Sequence, residues 1–110
     1  MSSQVVTINK TVSERISWVS SFATDLPDDT SLDALDSGSD VTAFDSAKAD
    51  KTSVIIATQA ISGMNISFII IAGTDGEEYT VRIEGGGAQT TDLKEKLLKV
   101  VVRDDIPGGF

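Results

Sequence analysis

Polar and apolar residues alternate in several segments of the chain, as expected for β-strands with one buried face. Alternation is clearest in EYTVRIE, where Tyr79, Val81 and Ile83 share a face, and in KLLKVVVRD. The segment NISFIIIA is almost continuously apolar, which is typical of a strand covered on both faces. Turn residues recur about every ten positions, and this spacing favours an all-β sandwich or barrel.

The pattern predicts seven or eight antiparallel strands. Their expected positions are Gln4–Ile8, Glu14–Ser20, Ser31–Leu35, Asp40–Phe44, Ser53–Gln59, Asn65–Ala72, Glu78–Glu84 and Lys96–Asp104. Before the last strand, Thr91 or Asp92 could cap a short helical turn that places Leu93, Leu97 and Leu98 together. A loop at this point is an equally good interpretation.

The chain of 110 residues is long enough for one domain with its own core. We expect a single β-sandwich domain at 1–104 with a short N-terminal arm, followed by a flexible C-terminal tail at 105–110. The opening MSSQVVTINK has neither a basic n-region nor an apolar h-region, and the longest apolar run, Phe68–Ala72, is too short to span a membrane. We therefore expect a soluble protein without a cleaved signal.

The composition removes most catalytic chemistries. The sequence has no Cys and no His, which excludes disulfides, thiolate zinc sites, a nucleophilic thiol and the commonest general base. Carboxylates, Lys, Ser, Thr and one Tyr remain, and the strand pattern points no pair of carboxylates inward. We expect no enzymatic activity and no cofactor.

Acidic residues are concentrated in one part of the chain. The formal net charge is -8, and most of it comes from the Asp residues between Thr24 and Asp50. Such a chain is repelled by nucleic acid and by anionic membranes, so we expect neither as a partner. A solvated loop is the first interpretation, and calcium binding is the alternative, with ligands drawn from Asp25, Asp28, Asp29, Asp33, Asp36 and Asp40.

Two glycine-containing segments are candidates for ligand-binding motifs. GTDG at 73–76 is a strong turn signal, but the residues after it lack the alternating acids of a calcium loop. EGGGAQTTD at 84–92 lacks the Gly-Lys-Thr ending and the spacing of a phosphate-binding loop. Both are therefore predicted to be turns or loops between strands.

Several apolar features are candidates for the core or for contacts between subunits. Trp18 on an alternating strand, and FIIIA at 68–72, are interpreted first as core, and FIIIA second as subunit contact. The tail RDDIPGGF ends in Phe110, and a terminal aromatic residue beyond a Pro-Gly-Gly hinge can contact a neighbouring subunit. The candidate partner-contact residues are Gln4, Ile106 and Phe110.

The segment GTDGEEYTV resembles the corner between strands E and F of immunoglobulin-like sandwiches. The resemblance implies a structural corner made by Asp75, Gly76 and Tyr79, with the Tyr79 hydroxyl bonded to the corner backbone and Val81 at a core position. Three features depart from antibody domains. No disulfide can form, the spacing from turn to Tyr differs by one residue, and Trp18 lies on an early strand. The expected fold is an immunoglobulin-like β-sandwich.

The layout of most of the chain also resembles small β-sandwich proteins encoded among the structural genes of tailed bacteriophages. An early segment with Trp, SERISWVSSFATDLPDDTSLDA, precedes IIIAGTDGEEYTVRIEGGGAQTTDLKEKLLKVVVRD. The matching positions are Asp25, Leu26, Leu32, Gly73, Gly76, Tyr79, Val81, Leu98, Val100, Val102 and Asp104.

The phage resemblance implies a non-catalytic virion protein, made in the cytoplasm of a host bacterium. It would decorate or cement the capsid through contacts with a phage coat or tail protein, in a homo-oligomeric or lattice-bound form. A head–tail or tail and fibre component is one alternative. A calcium- or glycan-binding adhesin-type sandwich is another, although few aromatic residues are present to bind sugars.

Overall fold

A computed structural model describes residues 5–33, 38–90 and 92–103. Within these ranges the chain forms seven strands and one short helix. In chain order they are β1 (Val5–Lys10), β2 (Ile16–Ser21), β3 (Asp40–Asp45), α1 (Thr52–Ile55), β4 (Ile56–Ser62), β5 (Asn65–Ile70), β6 (Glu78–Gly86) and β7 (Leu93–Val102).

Over the described residues the strands form two sheets, one in the order β1-β7-β6-β3 and the other in the order β2-β5-β4. If β2 to β7 take the letters B to G, the sheets contain the C-F-G and B-E-D sets of immunoglobulin-like sandwiches. The predicted all-β sandwich is confirmed. The expectation of antiparallel strands throughout is wrong at one place, because β1 pairs with β7 in parallel.

The core lies between the two sheets and is formed by the inward faces of both. Alternation along the strands explains it, since every second residue of β5, β6 and the end of β7 is buried. The buried apolar side chains are Phe22, Leu26, Leu32, Val41, Ala43, Ile55, Ile56, Ile66, Phe68, Ile70, Tyr79, Val81, Ile83, Leu98, Val100 and Val102.

Two local predictions are corrected. The short helix precedes β4 and not the last strand, whose first residue Leu93 already pairs with Gly86. The helix begins where the Asp50 carboxylate accepts hydrogen bonds from the backbone and hydroxyl of Thr52 at 2.9 and 2.7 Å. These bonds favour a turn over the predicted strand start. In the described part of the predicted strand at 31–35, only Leu32 pairs, through an isolated bridge to Gly87.

Candidate interaction surface

One side of the sandwich is closed because the outer edge of β3 is covered by the segment that follows it. The Ala43 amide donates to Thr52 Oγ1 at 3.0 Å, and the Ala43 carbonyl accepts from the Lys51 amide at 2.7 Å. Two positions further along the edge, the Asp45 amide donates to the Ala49 carbonyl at 3.0 Å. The groups that would bind another strand are therefore already paired.

The neighbouring edge, β4, is irregular. Its register with β5 shifts between Ala57 and Ala60, and Thr58 within this bulge has a φ of 54°. The Gln59 side chain donates to the Val41 carbonyl of β3 at 3.3 Å and links the two sheets on this side. A bulge bends a strand and interrupts its pairing pattern, so this edge is also a poor template for another strand.

The opposite side of the sandwich is open at β2. The Phe22 amide donates to the Met64 carbonyl at 2.9 Å, in register with the β2–β5 pairing. Because bonded positions alternate along an antiparallel ladder, the amides and carbonyls of Ser17, Val19 and Ser21 point away from β5. The Ser21 carbonyl accepts from Lys96 Nζ at 2.6 Å. Within the described residues, no hydrogen bond reaches the outward backbone groups of Ser17 and Val19.

Among the described strands, β1 also has no neighbour on this side. The Arg103 amide donates to the Lys10 carbonyl at 2.9 Å, which continues the parallel ladder with β7. In this ladder the backbone groups of Thr7 and Asn9 point outward, since those of their neighbours face β7. Over residues 5–33, 38–90 and 92–103, the two edges that remain open thus belong to consecutive strands, β1 and β2.

Apolar side chains between these two edges are only partly covered. Val6 and Ile8 of β1 and Ile16 and Trp18 of β2 point between the sheets, as the alternation of their strands requires. Val6 is 45% exposed, and the other three are half-buried against the core. We call Val6, Ile8, Ile16 and Trp18 the β1–β2 seam. It is an apolar strip flanked by two unpaired edges.

The β1–β2 seam is formed by two strands that carry little charge. Neither VVTINK nor ISWVSS contains an acidic residue, although the whole chain has a net charge of -8. The seam is therefore a neutral strip on an acidic protein. Apolar, weakly charged patches of this kind are typical of protein–protein contact sites.

Lys10 fixes one end of the seam. Its side chain is 3% exposed, and Nζ donates to the carbonyl oxygens of Thr11, Val12 and Ala72. These bonds join the β1–β2 loop to the β5–β6 loop. An open hollow of about 280 Å³ lies beside Lys10, lined also by Asn9, Thr11, Glu14 and Arg103. Since the amine of Lys10 is used by the two loops, it stabilises their geometry.

Residues 73–79 form the corner that the sequence predicts, and hydrogen bonds from two backbone amides hold it. The Thr74 amide donates to the Tyr79 hydroxyl at 3.0 Å, and Tyr79 is 3% exposed. The Gly76 amide donates to the Val102 carbonyl at 2.8 Å, and its φ of 87° suits glycine. Asp75 is exposed at the turn. The contact between hydroxyl and corner backbone is the one that the immunoglobulin resemblance implies.

The glycine run of β6 packs against other segments. A Cβ on Gly85 would lie 2.8 Å from the Phe22 ring. On Gly86 it would lie 2.7 Å from the Gly38 carbonyl oxygen, and on Gly87 it would overlap the Asp29 carboxylate. Glycine is needed here because residues of the β2–β3 connection approach the strand closely.

Asp29 connects the acidic segment to the β6–β7 loop. Its buried carboxylate accepts hydrogen bonds from the Thr90 hydroxyl at 2.7 Å and from the amides of Thr90 and Gln89 at 2.9 and 2.8 Å. The bond from the Thr90 hydroxyl, followed by the two amide bonds, holds the pKa of Asp29 below its usual value against the opposing effect of burial. Asp29 is thus a loop-fixing residue.

Two of the other predicted acidic ligands make separate contacts. The Asp25 carboxylate lies 3.2 Å from Lys96 Nζ, and the Asp40 side chain accepts from the Val41 amide at 2.9 Å. Across residues 5–33, 38–90 and 92–103, no three acidic side chains gather in a way that could hold a metal ion. Asp36 lies outside the described residues. The calcium interpretation therefore has no described site to support it.

The remaining contact candidates divide into two groups. Phe68 and Ile70 of FIIIA are buried in the core, whereas Ile69 and Ile71 are half-buried on the other face. Gln4, Ile106 and Phe110, together with the tail at 105–110, lie outside the described residues. The seam was not predicted from the sequence. One feature was present there, since neither β1 nor β2 contains an acidic residue, but β4 and β5 share it.

Comparison with protein families and curated sequences identified no relative of this chain. No protein-family model matches the chain, and no curated protein sequence matches it. In the part of the chain that the structure describes, no helix has the length and apolar character needed to cross a membrane.

Proposed function

We propose that the protein is a non-catalytic structural protein of a phage virion that decorates or cements the capsid through protein–protein contacts. The observation that carries the proposal is the β1–β2 seam, a neutral apolar strip between two unpaired strand edges. Lys10, Asp29 and Tyr79 support it, because each uses its polar side-chain group to fix a loop. A surface is therefore the better candidate for function than a reactive group.

Binding through a strand edge is compatible with a particle built from many identical subunits. One seam offers a small area, and interfaces of small area are weak when they act singly. Many copies bound to neighbouring coat subunits gain from multivalency, so a weak contact can still hold a protein on a capsid. The same argument applies to a tail tube. Pelleting with isolated heads or with isolated tails distinguishes the capsid assignment from a head–tail or tail assignment.

Co-sedimentation of the purified protein with phage particles from the same source tests the proposal. The wild type should pellet with particles, saturate, and pellet with isolated heads but not with isolated tails. Val6→Lys places a charge at the seam and should weaken binding at least about tenfold, since an ion buried without a partner is costly. Removal of residues 105–110 should also weaken it, if the tail is a contact arm.

Val54→Lys is the matched control. Val54 is 47% exposed, close to the 45% of Val6, but it lies on α1 at the closed side of the sandwich. It should leave pelleting unchanged. Pelleting with tails alone would move the assignment to the tail. A protein that stays in the supernatant at all concentrations would refute the virion assignment.

A further inference from the structure

We infer that the free edge of β2 pairs antiparallel with β2 of a second copy of this chain, which joins the two β2-β5-β4 sheets into one continuous sheet. The inference goes beyond the virion proposal and does not depend on it, because self-association is measured on the purified protein alone. Its basis is the geometry of the β2 edge.

The outward hydrogen-bonding groups of the β2 edge are complementary to those of the same edge in a second, antiparallel copy. Ser17 and Val19 direct their amides and carbonyls outward, with Trp18 between them. A two-fold axis at Trp18 places Ser17 of one copy opposite Val19 of the other, in both directions. In a hydrogen-bonded antiparallel pair, each residue donates its N–H and accepts through its C=O. All outward groups of Ser17 and Val19 would then be satisfied.

The same register brings the two Trp18 side chains together. Trp18 then occupies a non-hydrogen-bonded position, where opposite Cα atoms are about 4.5 Å apart and side chains touch. Trp18 is half-buried, and its indole N–H donates to Ser20 Oγ at 3.0 Å, which holds the ring. Aromatic pairs across strands stabilise a sheet. Pairing would cover the exposed part of each indole.

β2 fits a second copy better than the other open edge does. At its centre it has an apolar residue on each face, Trp18 toward the seam and Val19 outward, and Val19 is 59% exposed. On the outward face, β1 presents Thr7 and Asn9 at the corresponding positions, and Asn is unfavourable in strands. Pairing through β2 thus removes apolar surface from water on both faces.

Charge also permits two copies to meet here. Each copy has a net charge of -8, so most contacts between them would bring acidic groups together. The strand ISWVSS has no charged residue and no proline, which are the features that usually prevent edge-to-edge pairing. In contrast, β4 has a bulge and β3 is covered by the following segment.

Sedimentation velocity between about 5 µM and about 1 mM tests the inference. The mass should rise with concentration from 11.6 kDa to twice this value, with a dissociation constant below about 1 mM. Two variants should remain monomeric. Val19→Lys adds a charge to the edge, and Ser17→Pro removes an N–H that points away from β5 and so leaves the β2–β5 ladder intact.

Controls separate this contact from the particle contact. Val6→Lys and Val54→Lys should both dimerise like the wild type, so loss of particle binding by Val6→Lys with retained dimerisation would assign the two contacts to different strands. Circular dichroism checks that each variant is folded. If Ser17→Pro does not fold, Val19→Lys decides, because the exposed Val19 side chain contributes little to the core.

Spectroscopy identifies the strand that pairs. The chain has one Trp, so a near-ultraviolet circular dichroism signal that grows with concentration reports on Trp18. The amides of Ser17 and Val19 should exchange quickly in dilute solution and slowly in concentrated solution. A monomer up to about 1 mM, a dimer undiminished in Val19→Lys, or slow exchange of both amides in the dilute protein would overturn the inference.

Discussion

Gly85→Ala should destabilise the protein because Phe22 occupies the space of the added methyl group. The new Cβ would lie 2.8 Å from two ring carbons and 2.9 Å from a third. Phe22 is fully buried, so the ring cannot turn toward solvent. Ordinary carbon contacts begin near 3.4 Å, which means that the ring or the strand must move by about half an ångström.

Two effects of the Gly85→Ala change oppose each other. Overfilling a packed core costs about 1–3 kcal/mol. Replacing a glycine within a strand gains about 0.5–1 kcal/mol, because the unfolded chain loses freedom. At the middle of each range, about 2 and about 0.75 kcal/mol, the packing cost exceeds this gain, so the free energy of unfolding should fall by about 1 kcal/mol. Each kcal/mol corresponds to about 4–8 °C in the midpoint of thermal unfolding for a domain of this size.

Urea unfolding of four proteins measures the effect: the wild type, Gly85→Ala, Phe22→Leu and the double variant. The midpoint should fall for Gly85→Ala while the m-value stays constant. In the Phe22→Leu background the added methyl group should cost less, which is a coupling between the two sites. Gly63→Ala is the control, since its Cβ meets nothing within 4 Å and its cost arises from a φ of 59°.

Two results would contradict packing against Phe22 as the cause. If Gly85→Ala leaves the midpoint unchanged, the glycine is not required by the Phe22 ring. An equal cost of Gly85→Ala in both backgrounds would show that the strain lies elsewhere. Gly63→Ala should cost the same with Phe22 or with Leu at position 22, because no shared contact connects the two sites.

Three other changes test the loop-fixing side chains. Tyr79→Phe removes the acceptor of the Thr74 amide and should lower the free energy of unfolding by about 0.5–1.5 kcal/mol in urea titrations. Lys10→Met leaves three carbonyl oxygens without their donor and should cost about 1–3 kcal/mol in the same assay. The pKa of Asp29 lies below its ordinary value of 3.8, mainly through the Thr90 hydroxyl. Its stabilisation is therefore present above that pH and is lost as the pH falls through the lower, folded-state pKa. In Asp29→Asn, the midpoint of thermal unfolding should therefore fall less than in the wild type as the pH is lowered below 3.8.

Each of these changes has a control or a refuting result. Lys10→Arg retains the charge but not the compact amine. Its free energy of unfolding should therefore lie between those of the wild type and Lys10→Met. Asp28→Asn alters the exposed neighbour of Asp29 and is the matched control for the Asp29→Asn substitution. A Tyr79→Phe protein as stable as the wild type, or an Asp29→Asn protein with the wild-type acid profile, would contradict the roles assigned to these hydrogen bonds.

Strong alternation allowed part of the fold to be predicted. The strand expected at 78–84 is contained in β6, and the last strand was placed within a few residues of β7. Both have one buried face, so their apolar period is unambiguous. The expected strand at Ser53–Gln59 is wrong only at its start, since β4 begins at Ile56. Local hydrogen bonds from Thr52 to Asp50 compete with pairing there. Such competition depends on single side chains and leaves no trace in a hydrophobic pattern.

The glycine run shows the limit of predicting a site from one segment. From the sequence it could be compared only with phosphate-binding motifs. The reason for glycine at these positions is the close approach of Phe22 and Asp29, which are about sixty residues away in the chain. Sequence spacing does not reveal which distant groups approach a strand, so the packing role emerged only with the two sheets in place.

The seam is open because β1 pairs with β7 and not with β2. In an immunoglobulin-like sandwich the first strand can pair with the B strand, and here it pairs in parallel with β7 instead. That choice leaves the β2 edge without a neighbour over the described residues and keeps Trp18 half-buried. Had β1 paired with β2, the outward groups of Ser17 and Val19 would be satisfied within one chain. The open side is therefore a consequence of topology, and β2 lacks the charge and proline that usually prevent edge-to-edge pairing.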